Sequence, residues 1–227
     1  ASSIQQLARE YAQQFPLRDY SKVFAGIVAS SIGELREKID FAVNHIYNNP
    51  DKPITAGPEN GDKVFYNPTP QAVNGKVVFV FPGSGNHFLS MGTDLGVNWS
   101  EHLKKLDKNY ELLASQFAPS KITPWRLAYG ENYEEEAMAA LIADHNSLVF
   151  SHVSCCAFLS DLVRSFGIEP QIIMGYSLGE TAGNFATGTW RERDEMVRRM
   201  RHSNLFTTEL IGEYNAPRKH WGLDENA

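Results

Sequence analysis

The chain has 227 residues, of which 42% are hydrophobic and 21% charged, and its formal net charge is −6. That balance fits a globular protein with a buried core. It argues against a nucleic-acid binder, which shows a basic stripe or patch, since the densest basic run is "VRRMRH" at 197–202. It also shows no apolar run approaching a membrane span and no basic-then-apolar signal peptide at its start, so a cytoplasmic chain without membrane partners is expected.

In chain order, residues 2–14 predict a helix, and "VFAGIVA" (23–29) predicts a strand because it is rich in apolar and β-branched residues. Ser31 and Glu34 form a Ser-x-x-Glu capping pattern. Ile32, Leu35, Ile39, Val43 and Ile46 then follow at the spacing of one helix face. Five prolines and three glycines between 49 and 75 mark a connector, with "KVFY" (63–66) as a short edge strand inside it. These features make residues 1–75 a small α+β module of helix, strand and helix plus connector.

Residues 76–227 read as an α/β core. "VVFVF" (77–81) lacks polar alternation, which predicts burial on both faces, as in a parallel sheet. An amphipathic segment spans 99–117, and 134–166 reads as one or two helices, led by acidic residues as the helix dipole prefers. Gly167 and Pro170 close that segment. "QIIM" (171–174) is a second short buried strand. The adjacent Cys155 and Cys156 read as reduced core residues. His145 and His152 lie seven apart, which is not metal-pair spacing, and no metal site is expected.

"MGYSLGETAG" (174–183) places Ser177 in a Gly-x-Ser-x-Gly pattern, with a predicted strand before it and a helix after it. That context predicts a nucleophile elbow. The free N–H groups at the start of the following helix favour negative charge, and the Leu178 N–H is the natural first donor to an oxyanion. The competing reading is a plain βα turn with a surface serine. In "FVFPGSGNHFLSMG" (79–92) a strand ends in the loop Gly83-Ser84-Gly85, which can offer a second backbone donor. Phe88 stands where a dinucleotide loop needs glycine, and no P-loop Lys-Ser/Thr is present, so a nucleotide role is not expected.

Together, "FVFPGSGNH" and "GYSLGE", with "RSFGIEP" leading into the second, resemble the acyltransferase (malonyl-CoA:ACP transacylase-like) domains of fatty acid and polyketide synthases. The resemblance runs from about Val77 to Ser203. "FAGIVAS" and its capped helix resemble the linker that precedes such domains. "GNHFLSMGTDLG", "GYSLGETAG" and "SNLFTTELIG" are most similar to the acyltransferase-like subunit of bacterial polyunsaturated fatty acid synthases.

The resemblance implies a Ser177 acyl-enzyme, loaded from acyl-CoA and discharged to the phosphopantetheine thiol of an acyl carrier protein. No bound cofactor is implied; the partners are the carrier protein and other synthase domains. Leu178 and Ser84 match the backbone oxyanion donors. Gly83, Gly85, Tyr176 and Glu180 match positions around the substrate, Glu180 being as much a structural as a catalytic candidate.

Four departures from the family pattern matter. Tyr176 stands where the family has His beside the nucleophile. "GSGNH" replaces a Gln-containing loop and brings in His87, a loop histidine more often structural than substrate-binding. The place of the family's malonyl-pairing Arg falls on His202, with Arg201 beside it, a quarter turn away on a helix; a non-carboxylated acyl group is therefore expected.

The fourth departure is the missing base. The family's catalytic His follows a ferredoxin-like small subdomain, and neither His202 nor His220 matches its motif. A C-terminally truncated core, slow or inactive alone, is expected. Two alternatives stay open: a serine esterase or thioesterase sharing the elbow, and a catalytically incomplete docking fragment for the carrier protein.

Overall fold

The computed structural model describes residues 3–14, 25–54, 63–70, 75–123 and 132–224. The chain divides into two compact units, Ala1–Gly75 and Lys76–Ala227.

The first unit holds α1 (Ile4–Gln14), β1 (Ala25–Ile27), α2 (Ile32–Asn48) and β2 (Val64–Tyr66). Ser2, Val23 and Phe24, expected in the first helix and strand, lie outside the described residues. β1 and β2 pair antiparallel in the register Ala25↔Tyr66 to Ile27↔Val64. The capping pattern forms with a shift. The Ser31 Oγ accepts from the Glu34 N–H at 3.1 Å, but the Glu34 carboxylate reaches back to the N–H of Ser30, not Ser31, at 2.7 Å.

The buried face of α2 differs from the predicted one. Ile39 and Val43 are exposed, and the helix seats through Ala42 against Ile54, Val64 and Tyr66, with Ile46 beside them. The small Ala42 lets the helix approach a sheet that, among the described residues, is two strands and the Ile54 bridge wide, too narrow to cover a full apolar stripe.

The second unit is α/β. Its sheet is a parallel pair, β3 (Val78–Phe81) and β4 (Ile172–Gly175), in the register Val78↔Ile172 to Phe81↔Gly175. Gln171 fixes the start of the ladder, its side-chain oxygen accepting from the Val77 N–H at 2.7 Å. Between the strands run α3 (Thr93–Asn98), α4 (Ser100–Asn109), α5 (Leu113–Phe117), α6 (Pro119–Ile122), α7 (Tyr133–Ala143) and α8 (His145–Ser165). After β4 come α9 (Leu178–Ala186), α10 (Arg193–His202) and α11 (Asn215–Trp221). The amphipathic segment at 99–117 is thus two helices, and the stretch at 134–166 is also two. Asp144 makes the second break, its carboxylate accepting from the N–H and Oγ of Ser147 to cap α8.

α8 is the central helix. Phe150, Val153, Ala157, Phe158 and Leu162 are buried along it. The sequence reading found no membrane-length apolar stretch, yet α8 is long and apolar enough to cross a membrane; 61% of its most apolar window is buried inside the protein. It packs as a core helix against α9 and α5.

The sheet is covered on one face only among the described residues, where burial on both was expected. Phe79 and Phe81 face inward against Ala182, Ala186 and Cys156. Val78, Val80, Ile172 and Met174 are exposed. Uninterrupted apolar runs fit two-sided burial, and nothing in the run itself distinguishes the face left open.

Candidate active site

Ser177 occupies the junction between β4 and α9 with φ 53° and ψ −118°. Only four non-glycine residues among those described have a positive φ. Such a backbone costs about 1–3 kcal/mol and persists only where the surroundings enforce it. Two glycines do so here. A Cβ on Gly175 would lie 2.5 Å from the carbonyl of Gly179, and one on Gly179 would overlap the carbonyl oxygen of Phe81. The helix closes at once, Gly179 N–H donating to Tyr176 O at 2.9 Å and Glu180 N–H to Ser177 O at 3.0 Å.

The Ser177 side chain is exposed and makes no capping hydrogen bond to α9. Among the described residues no backbone hydrogen bond engages the N–H of Leu178, nor those of Gly83, Ser84 and Gly85. These amides remain available to an incoming oxyanion, at the positive end of the α9 dipole in the case of Leu178.

The loop after β3 lies against this junction. A Cβ on Gly83 would sit 3.0 Å from both the backbone oxygen and the ring of Tyr176. Glycine therefore lets the loop pass beneath an aromatic ring that is itself 79% exposed. Gly85 turns the loop with φ +99°, and the Asn86 Nδ2 donates to the Gly83 carbonyl at 3.0 Å. The parallel register, with Phe81 opposite Gly175, brings the ends of both strands level. Gly83 thus meets Tyr176, the residue before Ser177, with Ser84 and Gly85 in the adjoining turn, while Leu178 and Glu180 lie in the first turn of α9.

Arg201 and His202 lie on another helix, α10. Both are exposed at the last turn of α10, and that helix packs on α5 and α8. The His202 Nδ1 lies 2.7 Å from the Arg198 carbonyl, so it donates to its own helix. No hydrogen bond joins a histidine to Ser177 among the described residues.

One residue the sequence reading set aside lies next to the site loop. His152, on α8, is 2% exposed, and its Nε2 is 2.9 Å from the Pro82 carbonyl oxygen. The carbonyl can only accept, so Nε2 carries the proton. The His87 ring lies 5.4 Å from that of His152, and the His87 Nε2 is buried without a partner among the described residues. Burial lowers both histidines below the ordinary imidazole value, and for His87 the neighbouring His152 adds to the effect. On the same helix, burial pushes the Cys155 thiol up to about 12 and Cys156 to about 11, so both stay protonated. A cavity of about 430 Å³ runs between β3 and α8 beside this loop, lined by Phe79, Phe81, Phe88, Met91 and Cys155. No local signal in the sequence ties His152 to Pro82, 70 residues away.

No family model matches the chain. Its sequence is 28% identical to a highly reducing polyketide synthase of Cryptosporiopsis over 200 residues, 86% of this chain and 8% of that protein. It is 28% identical to an orsellinic acid synthase of Beauveria bassiana over 168 residues, 74% of this chain and 7% of that protein. Against a hispidin synthase of Neonothopanus nambi the identity is 31% over 53% of this chain and 7% of that protein. The chain therefore spans less than a tenth of the length of these curated relatives and is similar to a segment of polyketide synthases. Among solved structures it is similar to the acyl transferase domain of ZmaA, with a TM-score of 0.48 and 18% identity over 81% of this chain and 49% of that one. It is also similar to the acyl transferase domain of SpnD, with a TM-score of 0.43 and 15% identity over 82% of this chain and 50% of that one.

Proposed function

We propose that the chain carries the nucleophile and oxyanion loops of an acyltransferase domain from a polyketide or fatty acid synthase. Ser177 Oγ attacks the thioester carbonyl of an acyl-CoA, the carbon–sulfur bond breaks, and the serine proton ends on the departing CoA thiol. The ester is then transferred to the phosphopantetheine thiol of an acyl carrier protein by the reverse sequence of bonds. The Leu178 N–H and the N–H groups of the Gly83–Gly85 turn receive the negative charge of each tetrahedral intermediate. Residues 1–75 serve as the linker module preceding that domain.

The observation carrying this reading is the forced positive φ at Ser177, level with the Gly83–Gly85 turn. The similarity to polyketide synthases supports it. Because His202 stands at the place of the family's malonyl-pairing Arg, with Arg201 a quarter turn away, the acyl group we infer is non-carboxylated.

Intact-mass spectrometry of the full chain after incubation with acyl-CoA tests the proposal. A single acyl adduct mapping to Ser177 and absent from Ser177→Ala is expected, formed slowly because no base among the described residues is hydrogen-bonded to the serine. Saturated acyl-CoA should load faster than malonyl-CoA; efficient and selective malonyl loading would reverse the substrate assignment. Discharge to water as fast as to a phosphopantetheine thiol would make the chain a hydrolase, and no adduct from any acyl-CoA would leave the docking reading.

A further inference from the structure

The cavity between β3 and α8 and the His87–His152 ring pair of the second unit meet at one feature: a histidine buried in the central helix, bonded to the site loop. We propose that His152 is a positioning residue for acyl transfer, holding the Pro82–Gly83 peptide so that the amides of the Gly83–Gly85 turn face Ser177. This rests on the acyltransferase reading above.

The argument begins with the peptide unit. The Pro82 carbonyl and the Gly83 N–H belong to one rigid plane and point in opposite directions. A donor that fixes the carbonyl therefore fixes the direction of the following amide and the entry angle of the turn. Glycine at 83 and at 85, the latter at φ +99°, leaves that turn with little conformational resistance of its own. The bond at 2.9 Å from His152 supplies the missing constraint. Its donor sits on the central helix α8, with Val153 and Ala157 at 0% exposure near it, so close packing holds the anchor.

His87 completes the arrangement. It follows the turn by two residues and packs its ring over that of His152 at a tilt of 58°. The loop thus returns onto the group that holds its start. Cys155 and Cys156, protonated thiols on the same helix, place no charge next to the pair. The imidazole acts as a donor to the Pro82 carbonyl, and its task is orientation. It stays outside the reacting atoms, because its polar contact is with the backbone.

Three variants separate positioning from packing. His152→Gln keeps an N–H donor at similar reach; His152→Leu keeps the bulk and loses the donor; Ser177→Ala is the chemical control. In the full chain, the rate constant of Ser177 acylation by a saturated acyl-CoA should fall about tenfold to hundredfold in H152L. The acyl-CoA concentration giving half the maximal rate should change little. H152Q should recover most of that loss.

Backbone order parameters of residues 83–87, from nitrogen-15 relaxation, supply a readout independent of chemistry. They should fall in H152L and stay near wild type in H152Q. Equal behaviour of the two variants in this measurement would overturn the proposal, and so would wild-type acylation by H152L. Should the unmodified protein itself form no acyl-serine, the acyltransferase reading fails, while the order parameters still decide whether His152 holds the loop. If H152L does not fold, H152Q with loop order parameters at the level of the unfolded chain would equally exclude the role.

Discussion

Gly179 lies against the carbonyl of Phe81 so closely that no side chain fits between them. That contact locks the first turn of the helix after the serine to the end of the neighbouring strand. Gly179→Ala must push the two apart or strain the turn, at a cost of about 1–3 kcal/mol. Gly85→Ala meets no atom within 4 Å and carries only the penalty of its positive φ, about 1 kcal/mol. Urea unfolding of both variants checks the order, with G179A the less stable.

Ser177 itself stores strain. A glycine there adopts φ 53° freely, whereas alanine inherits the strain without the hydroxyl. Ser177→Gly should therefore be more stable than Ser177→Ala by about 1 kcal/mol after the entropy cost of glycine is subtracted. Both should be unable to form an acyl-enzyme. Paired denaturation curves with intact-mass measurements test the two statements together.

Asp194 ties the turn between α4 and α5 to α10. Its carboxylate accepts from the N–H groups of Glu111 and Leu112 and from the Gln116 side chain at 2.6–3.2 Å. Asp194→Ala orphans three donors, and a loss of about 2–3 kcal/mol is expected. The chemical midpoint of unfolding should fall, with little effect on how Ser177 is presented.

Acid should unfold the second unit partly through its histidines. His87 and His152 are lowered in the folded state, so the unfolded chain binds more protons. Their contribution to stability is complete above about pH 6.5 and is lost as pH falls from there towards the folded values. Unfolding midpoints measured between about pH 7 and pH 5.5 should decline. His152→Gln should decline less, because one of the two groups no longer titrates.

The sequence made the elements around Ser177 readable because each is local. A strand, two glycines and a helix start within ten residues fix their own geometry, and the Gly83–Gly85 turn is marked by composition alone. What stayed hidden depends on partners far along the chain. The inward face of α2 is set by Ala42, not by the larger Ile39 and Val43, because the sheet beneath it is narrow. The open face of β3, Val78 and Val80, cannot be told from the covered one, Phe79 and Phe81, when both are apolar. His152 carries no mark in the sequence, since its partner is a backbone carbonyl that no residue preference advertises. Asp194, likewise, reads as an ordinary helix-start acid until α5 is placed beside it.

The ladder between Val78–Phe81 and Ile172–Gly175 is four residue pairs long and ends where both loops begin. It therefore works as a measuring stick for the chemistry above it. Deleting one residue before Ile172 would slide β4 by a single step and exchange its inner and outer side chains. The serine would then be delivered to the wrong side of the turn opposite, though every residue of either motif remained in place.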